Sequence, residues 1–203
     1  MRKNPSWRNR QIPGLLSCRG ANTVRAWDRS NNASQLTQGT MYTMPIQLPA
    51  GSEYDQIGIR STRAGISVAR LGIYADDPFR GGPGALIKDF GTITEADLER
   101  TISITLKILK TDIYWLAFSV ESSFQCRLGW SNGGSPMGLT DSATPDLNYT
   151  ASGLKRTGVT AGSLPNPFGG TITTVQASPI LLLRVLNPGH PTTVQTIDRK
   201  SVV

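Results

Sequence analysis

The sequence predicts an all-β protein: an antiparallel β-sandwich with the topology of a jelly roll, preceded by an extended N-terminal arm. Two stretches carry this prediction. Residues 111–120 (TDIYWLAFSV) are apolar and aromatic almost throughout, which is typical of a strand buried on both faces. Residues 101–108 alternate polar and apolar side chains, as a strand with one wet and one dry face does. A strand buried on both faces next to a strand buried on one face is typical of the middle of a β-sandwich.

Further strands are predicted along the chain, between turns rich in its 21 glycines and 13 prolines. The segments with strand character are Thr40–Leu48, 54–60, 66–74, 86–93, 101–108, 111–120, 124–130 and 180–186. Pro45 should place the first strand at a sheet edge or end it early, because proline has no amide hydrogen to donate. Residues 81–84 are predicted to form a hairpin tip, and residues 94–100 form either one helical turn or a loop.

Composition divides the chain into three parts. Residues 1–36 are rich in proline, glycine and polar side chains and show no sustained period, which predicts an extended arm and linker. Residues 37–188 are predicted to form the sandwich body, and residues 189–203 a polar tail. Within the body, residues 131–170 are a Gly/Pro-rich loop region, with a short strand at 147–150 as an option. A loop region of this length is usually functional or held by a neighbouring molecule.

The positive charge of the chain is concentrated in its arm. Seven Lys and Arg residues precede residue 30 against Asp28 alone, so the arm carries six of the seven net positive charges. Such an arm can bind nucleic acid or an acidic protein surface. We favour docking on protein, and do not expect nucleic acid, because tryptophan and arginine are common anchors of protein interfaces. The predicted docking residues are Trp7, Arg8, Arg10 and Trp27.

The sequence offers little for catalysis, so we predict neither an enzyme nor a cofactor. The single histidine, His190, lies between a glycine and a proline near the C terminus, away from any nucleophile. The acids that could act as a glycosidase pair or a calcium loop lie in or beside turns, where carboxylates are usually solvated. These acids are Asp76, Asp77, Glu95, Asp97 and Glu99.

The cysteine and aromatic residues were considered as metal ligands and as a sugar-binding surface. Cys18 and Cys126 match no metal-ligand spacing, so we predict free thiols and no metal site. Tyr42, Trp130 and Tyr149 could form a platform for sugar rings, although packing in the core is the favoured use of Trp130. No apolar run is long enough for a membrane helix, and no signal-peptide core follows the basic N terminus.

Three segments resemble a known class of protein. Residues 68–77 (VARLGIYADD), 82–91 (GPGALIKDFG) and 112–118 (DIYWLAF) are similar to lines in the β-sandwich modules of tailed-bacteriophage virion proteins, namely fibres, tail accessory proteins and capsid decoration proteins. The resemblance covers about residues 40–130. It implies a virion protein that is assembled in the host cytoplasm and has no enzymatic activity.

Within that class, the short body and the basic arm favour a capsid decoration protein. We expect the arm to dock on a major capsid protein or a tail protein and the body to self-associate as a trimer, so that several weak arm contacts act together. The alternative is a tail or fibre subunit that binds a host surface glycan through residues 131–170.

Overall fold

The computed structural model describes residues 23–25, 33–96, 99–130, 153–175, 177–179 and 181–187. These residues form strands and connections without a helix, which confirms the all-β prediction. The strands are β1 (Thr23–Arg25), β2 (Ala33–Leu36), β3 (Thr40–Leu48), β4 (Glu53–Arg60), β5 (Val68–Asp77), β6 (Gly82–Thr94), β7 (Glu99–Lys107), β8 (Asp112–Val120), β9 (Phe124–Trp130), β10 (Gly153–Thr157), β11 (Ile172–Val175), β12 (Ala177–Pro179) and β13 (Leu181–Asn187).

The strands build an antiparallel sandwich. One sheet has the order β1-β13-β4-β7 and the other the order β11-β10-β3-β8-β5-β6, while β12-β9-β2 forms a small third sheet. Going from β3 to β8, the chain changes sheet at every connection except the β5–β6 hairpin. This crossing between two packed antiparallel sheets is the connectivity of a jelly roll.

The main core lies between the two large sheets. Burial of β8 on both of its faces explains why its sequence contains so few polar side chains. Alternate side chains of a strand point to opposite faces. Leu116 and Phe118 therefore pack into the inter-sheet core, where they meet side chains such as Ile57 and Leu183 from the opposite sheet. Trp115 and Ala117 point the other way and are also fully buried. The prediction of a two-sided central strand is thus confirmed.

A second core covers the outer face of the six-stranded sheet. Residues 158–171, which we call the flap, follow β10 and lie over Trp115, Tyr74 and Met41. Val159, Leu164 and Phe168 are its buried side chains. The Phe168 ring meets the Tyr74 ring edge to face at 5.4 Å between centroids. A strand that is buried on both faces therefore needs the flap as a third layer.

Several boundaries differ from the sequence-based ones. Ala33–Leu36, assigned above to the linker, pairs with β9, and Thr23–Arg25 pairs with β13, so both belong to the sheets. Residues 153–157, assigned to the loop region, form a strand beside β3. Glycines 82 and 84 lie inside β6, and the hairpin tip is residues 78–81. The segment 147–150 and most of the predicted arm lie outside the described residues.

Pro45 lies in a strand that has a neighbour on each side, but one of these neighbours pairs with only part of the strand. β3 lies between β10 and β8 in the sheet, not at its edge as predicted. However, β10 pairs only with Thr40 to Thr43, whereas Pro45 pairs with Trp115 of β8 on the other side. Pro45 therefore lies just outside the segment that pairs with β10, so its missing amide hydrogen costs no hydrogen bond to that strand.

Candidate interaction surface

The predicted docking residues Trp7, Arg8, Arg10 and Trp27 lie outside the described residues, as do Cys18, Tyr149 and His190. Their roles stay predictions. The structure does show where the arm joins the body. Thr23 pairs with Arg184 and Arg25 with Leu182, so β1 runs antiparallel to β13. β1 therefore begins on the side towards which β13 runs.

β13 runs towards one end of the sandwich, which we call the loop end. Three connections meet there: residues 49–52, 78–81 and 108–111. The strand register places them together, because Leu48 pairs with Asp112, Lys107 pairs with Glu53, and Ala75 pairs with Tyr114 near the start of β8. Asn187, the last residue of β13, pairs with Glu53 at the same end. The start of β1 is directed towards this end, from a position beside Arg184 in the middle of β13.

The loop end carries exposed apolar side chains. Phe79 is 82% exposed, Leu109 is 84% exposed and Leu186 is 64% exposed. Each sits on a chain segment at the loop end that is hydrogen-bonded to its surroundings or part of a sheet. Two further large apolar side chains are exposed elsewhere, Ile66 at the opposite end of the sandwich and Ile87 on β6. Exposed apolar side chains with charged neighbours are common at contact sites.

Hydrogen bonds fix the loops that present these side chains. The Asp77 carboxylate accepts hydrogen bonds from the amides of Phe79, at 2.9 Å, and Arg80, at 3.1 Å. The Gly51 amide donates to the Ile108 carbonyl at 2.7 Å, and the Ile108 amide donates to the Ser52 carbonyl at 2.9 Å. Because the loops are held in place, Phe79 and Leu109 are presented with little further loss of entropy on binding.

Ion pairs lie on the same segments of the loop end. Arg80 lies 3.7 Å from Asp77, Lys107 lies 2.9 Å from Glu53, and Lys110 lies 2.8 Å from Asp112. The hydrogen bond from Lys110 to Asp112 raises the pKa of the lysine. Exposed pairs of this kind add little stability. The loop end therefore combines charged and apolar side chains, as protein interfaces do.

The opposite end of the sandwich holds a buried carboxylate. Glu95 is only 2% exposed, contrary to the expectation that the turn acids are solvated. It accepts hydrogen bonds from the Arg63 guanidinium at 3.0 Å and from the Gln125 amide at 2.5 Å. Glu95 thereby ties the β4–β5 connection to β9. Burial is favourable here because an arginine and an amide replace the lost water.

Cys126 lies beside this carboxylate and is a free, fully buried thiol, as predicted. Burial raises the pKa of the thiol, and the charge of Glu95 raises it further. A thiol in such surroundings stays protonated and is a poor nucleophile. The cluster is therefore suited to holding β9 in place rather than to chemistry.

Asp76 and Tyr42, two other sequence-based candidates, have structural partners as well, while Asp97 lies outside the described residues. Asp76 accepts a hydrogen bond from the Trp115 indole nitrogen at 3.0 Å. Tyr42 packs against the inter-sheet core, and burial raises the pKa of its phenol, so its ring is not presented for stacking on a sugar. In the described ranges, no group of three or more His, Cys, Asp or Glu residues is placed to hold a metal ion. The same ranges contain no helix that could cross a membrane.

Phe79, Leu109 and Leu186 were not among the residues singled out from the sequence. The sequence positions of Phe79 and Leu109 could have indicated that their side chains are exposed. Phe79 follows a proline in a turn, and Leu109 stands between Ile108 and Lys110 in a two-strand connection, positions where large apolar side chains are seldom buried. Comparison with known protein families gives no match, and comparison with curated proteins gives none.

Proposed function

We propose that this chain is a non-enzymatic structural protein of a tailed-phage virion, a capsid decoration protein that is assembled in the host cytoplasm and docks through its N-terminal arm. The observation that carries the proposal is the loop end, which displays Phe79, Leu109 and Leu186 and towards which the start of β1 is directed.

This arrangement suits attachment to a large protein surface. The loop end supplies apolar side chains on hydrogen-bonded loops, with ion pairs on the same segments. The arm adds a second contact of basic and aromatic side chains, with Trp7, Arg8, Arg10 and Trp27 as its anchors. Two linked weak contacts bind far more tightly than either alone, since the second contact forms at a high effective concentration. Self-association of the body multiplies the gain. The partner is a major capsid protein or a tail protein.

The alternative is a tail or fibre subunit that binds a host glycan. One feature of the structure favours it: the aromatic ring of Phe79 stands 82% exposed at a hairpin tip, beside Arg80. A flat ring in that position is able to stack on the C–H face of a sugar. The two proposals differ in where on the particle the chain is found.

The decoration proposal is tested by truncation before Thr23. Deleting residues 1–22 keeps β1 and β2, whereas deleting residues 1–36 would remove both strands and their pairing with β13 and β9. We expect the truncated chain to stay folded but to lose co-sedimentation with purified particles that lack the protein. The double variant Phe79→Ser/Leu109→Ser should weaken co-sedimentation while leaving the arm intact. A truncated chain that co-sediments as well as the full chain would contradict arm docking.

A further inference from the structure

Hydrogen bonds hold the flap on the six-stranded sheet in the way that a peptide ligand is held on a protein. The Tyr74 hydroxyl donates to the Pro165 carbonyl at 2.8 Å, and the Phe168 amide donates to the Gly84 carbonyl at 2.9 Å. The Arg156 guanidinium donates to the Phe168 carbonyl. Domains that recognise short peptides combine such main-chain hydrogen bonds with separate places for single side chains.

Two side chains of the flap occupy separate places of this kind. The Phe168 ring is fully buried and meets the Tyr74 ring edge to face. Leu164 lies above Gly72, where a Cβ atom would come within 2.2 Å of the Leu164 Cδ1. The absence of a side chain at Gly72 thus leaves the space that Leu164 fills. With Trp115 between them in the same cluster, these places form an apolar groove that suits the flap.

The flap contributes to the second core and not to the core between the two large sheets. Its buried side chains Val159, Leu164 and Phe168 all belong to the second core. A flap that leaves its groove therefore uncovers Trp115 and Met41, while the inter-sheet core stays closed. Exposing these side chains to water is unfavourable, so the uncovered groove requires another occupant. The segment that fits the groove is the flap, and a second copy of the chain carries the same segment.

Glycines in the left-handed region stand at both ends of the flap. Gly158 has a φ of 71° at its start, and Gly169 and Gly170 have φ values of 44° and 76° near its end. A Cβ atom at Gly158 would meet nothing within 4 Å, so the turn conformation, and not a lack of space, favours glycine there. A few residues that absorb a large change in φ and ψ are what a hinge requires.

We propose that two copies of this chain exchange their flaps. Each flap swings out at its glycine ends and closes on the six-stranded sheet of the other copy. Half of residues 158–171 can reach about 20 Å when extended, whereas packed layers are about 10 Å apart. The flap contacts are the same in the closed monomer and in the exchanged dimer, so exchange is a low-cost route to association. Copies held side by side exchange more readily, because their effective concentration is high.

This inference deepens the self-association in the proposed function, and it rests on that part of the proposed function. Reciprocal exchange uses the same surface on both copies and closes as a dimer. The trimer expected from the sequence would need a different contact. Exchange does not involve the arm or the loop end, so it is tested on the purified chain without particles.

Mixing two cysteine variants tests the exchange directly. A Cβ atom at Gly72 would lie 3.7 Å from the Leu164 Cγ, which is within the reach of a disulfide between cysteines at these positions. Both variants carry Cys18→Ser, and the remaining Cys126 is fully buried. In a concentrated mixture of the Gly72→Cys chain with the Leu164→Cys chain, this disulfide can form only between copies. We expect a linked dimer from the mixture on a non-reducing gel and none from either variant alone.

Gly91→Cys provides the matched control for this mixture. Gly91 lies on β6 outside the flap and its groove, and a Cβ atom there would meet nothing within 4 Å, so its thiol is free to react. A mixture of the Gly91→Cys chain with the Leu164→Cys chain should not link. Absence of the dimer from the first mixture, or equal linking in the control mixture, would overturn the proposal.

A hinge substitution tests the exchange without any change in the groove, and it serves equally if Gly72→Cys prevents folding. Gly158→Ala places a side chain in the left-handed region, which strains the closed turn and not an extended hinge. We expect the dissociation constant of the dimer to fall at least about tenfold in sedimentation equilibrium. Gly91→Ala adds the same strain, at a φ of 90°, outside the flap and should leave the dissociation constant unchanged. A Gly158→Ala chain that dimerises no better than this control would overturn the proposal.

The outcome of these experiments is separate from that of the docking experiment. A chain that exchanges its flaps but does not co-sediment with particles would support the exchange and contradict docking. A chain that co-sediments but gives no linked dimer would overturn the exchange and leave docking standing.

Discussion

At the scale of single residues, Trp115 shows how much one side chain can hold together. Its ring is fully buried between the six-stranded sheet and the flap, and its indole nitrogen donates to Asp76 at 3.0 Å. We expect Trp115→Ala to lower the free energy of unfolding by about 3–5 kcal/mol, since a large cavity opens in a packed region. Chemical denaturation followed by circular dichroism measures the change.

Leu109→Ala provides the matched control for that substitution. Leu109 is 84% exposed in its turn, so its truncation should leave the midpoint of denaturation nearly unchanged. A Trp115→Ala variant with a midpoint close to that of the control would contradict the buried position of the indole.

The sequence alone was sufficient to identify Trp115 as a core residue, because the whole segment around it lacks polar side chains. It was not sufficient to identify what covers the indole. Leu164 and Phe168, which belong to the flap, stand in a stretch rich in glycine and proline that carries no periodic signal. Glu95 was missed for a related reason. A carboxylate beside a turn is solvated unless a distant arginine and amide reach it, and neither Arg63 nor Gln125 is near it in the sequence.

At the scale of elements, the flap depends on a glycine beneath it. A Cβ atom at Gly72 would lie 2.2 Å from Leu164 Cδ1 and 3.0 Å from the Lys88 carbonyl oxygen. Gly72→Ala should therefore push Leu164 out of its site and destabilise the protein by about 1–3 kcal/mol. Hydrogen exchange in residues 158–171 should accelerate more than exchange in β4 or β13, because the strain is local to the flap.

A double-mutant cycle isolates this contact. In a Leu164→Ala background the space above Gly72 is open, so Gly72→Ala should cost much less there than in the natural chain. If the cost is the same in both backgrounds, Leu164 does not pack on Gly72 and the flap is held by other contacts. Those contacts are partly polar, such as the Tyr74 hydroxyl, which donates to the Pro165 carbonyl at 2.8 Å, and the Gly162 amide, which donates to Glu121 at 3.0 Å.

Most strands were predictable as elements, because alternation and β-branched composition are local properties. The predicted Thr40–Leu48 has the same bounds as β3, and the segment 111–120 differs from β8 by one residue at its start. The strands that were missed are short and are fixed by their partners. β2, with the polar sequence ASQL, forms a strand because β9 pairs with it, and β10 forms because β3 offers an open edge at Thr40 to Thr43, before Pro45.

At the scale of the whole molecule, the two ends of the sandwich have different characters. Both ends display exposed apolar side chains, Ile66 at the end near Glu95 and Phe79, Leu109 and Leu186 at the loop end. The ends differ in that buried polar contacts of Glu95 tie its end together. The pairing of β1 with β13, which directs the start of β1 towards the loop end, links residues that are far apart in the sequence. No local pattern could have indicated it.

We propose that the chain lies on the outer surface of a phage head, and immunogold labelling of intact particles shows whether it does. The particles are purified from cultures that produce this chain, and the antibody is raised against the sandwich body. We expect gold over the head, and loss of that label when the particles are assembled with the chain lacking residues 1–22. Gold confined to the tail tip, or no gold on the particles, would rule out the decoration proposal.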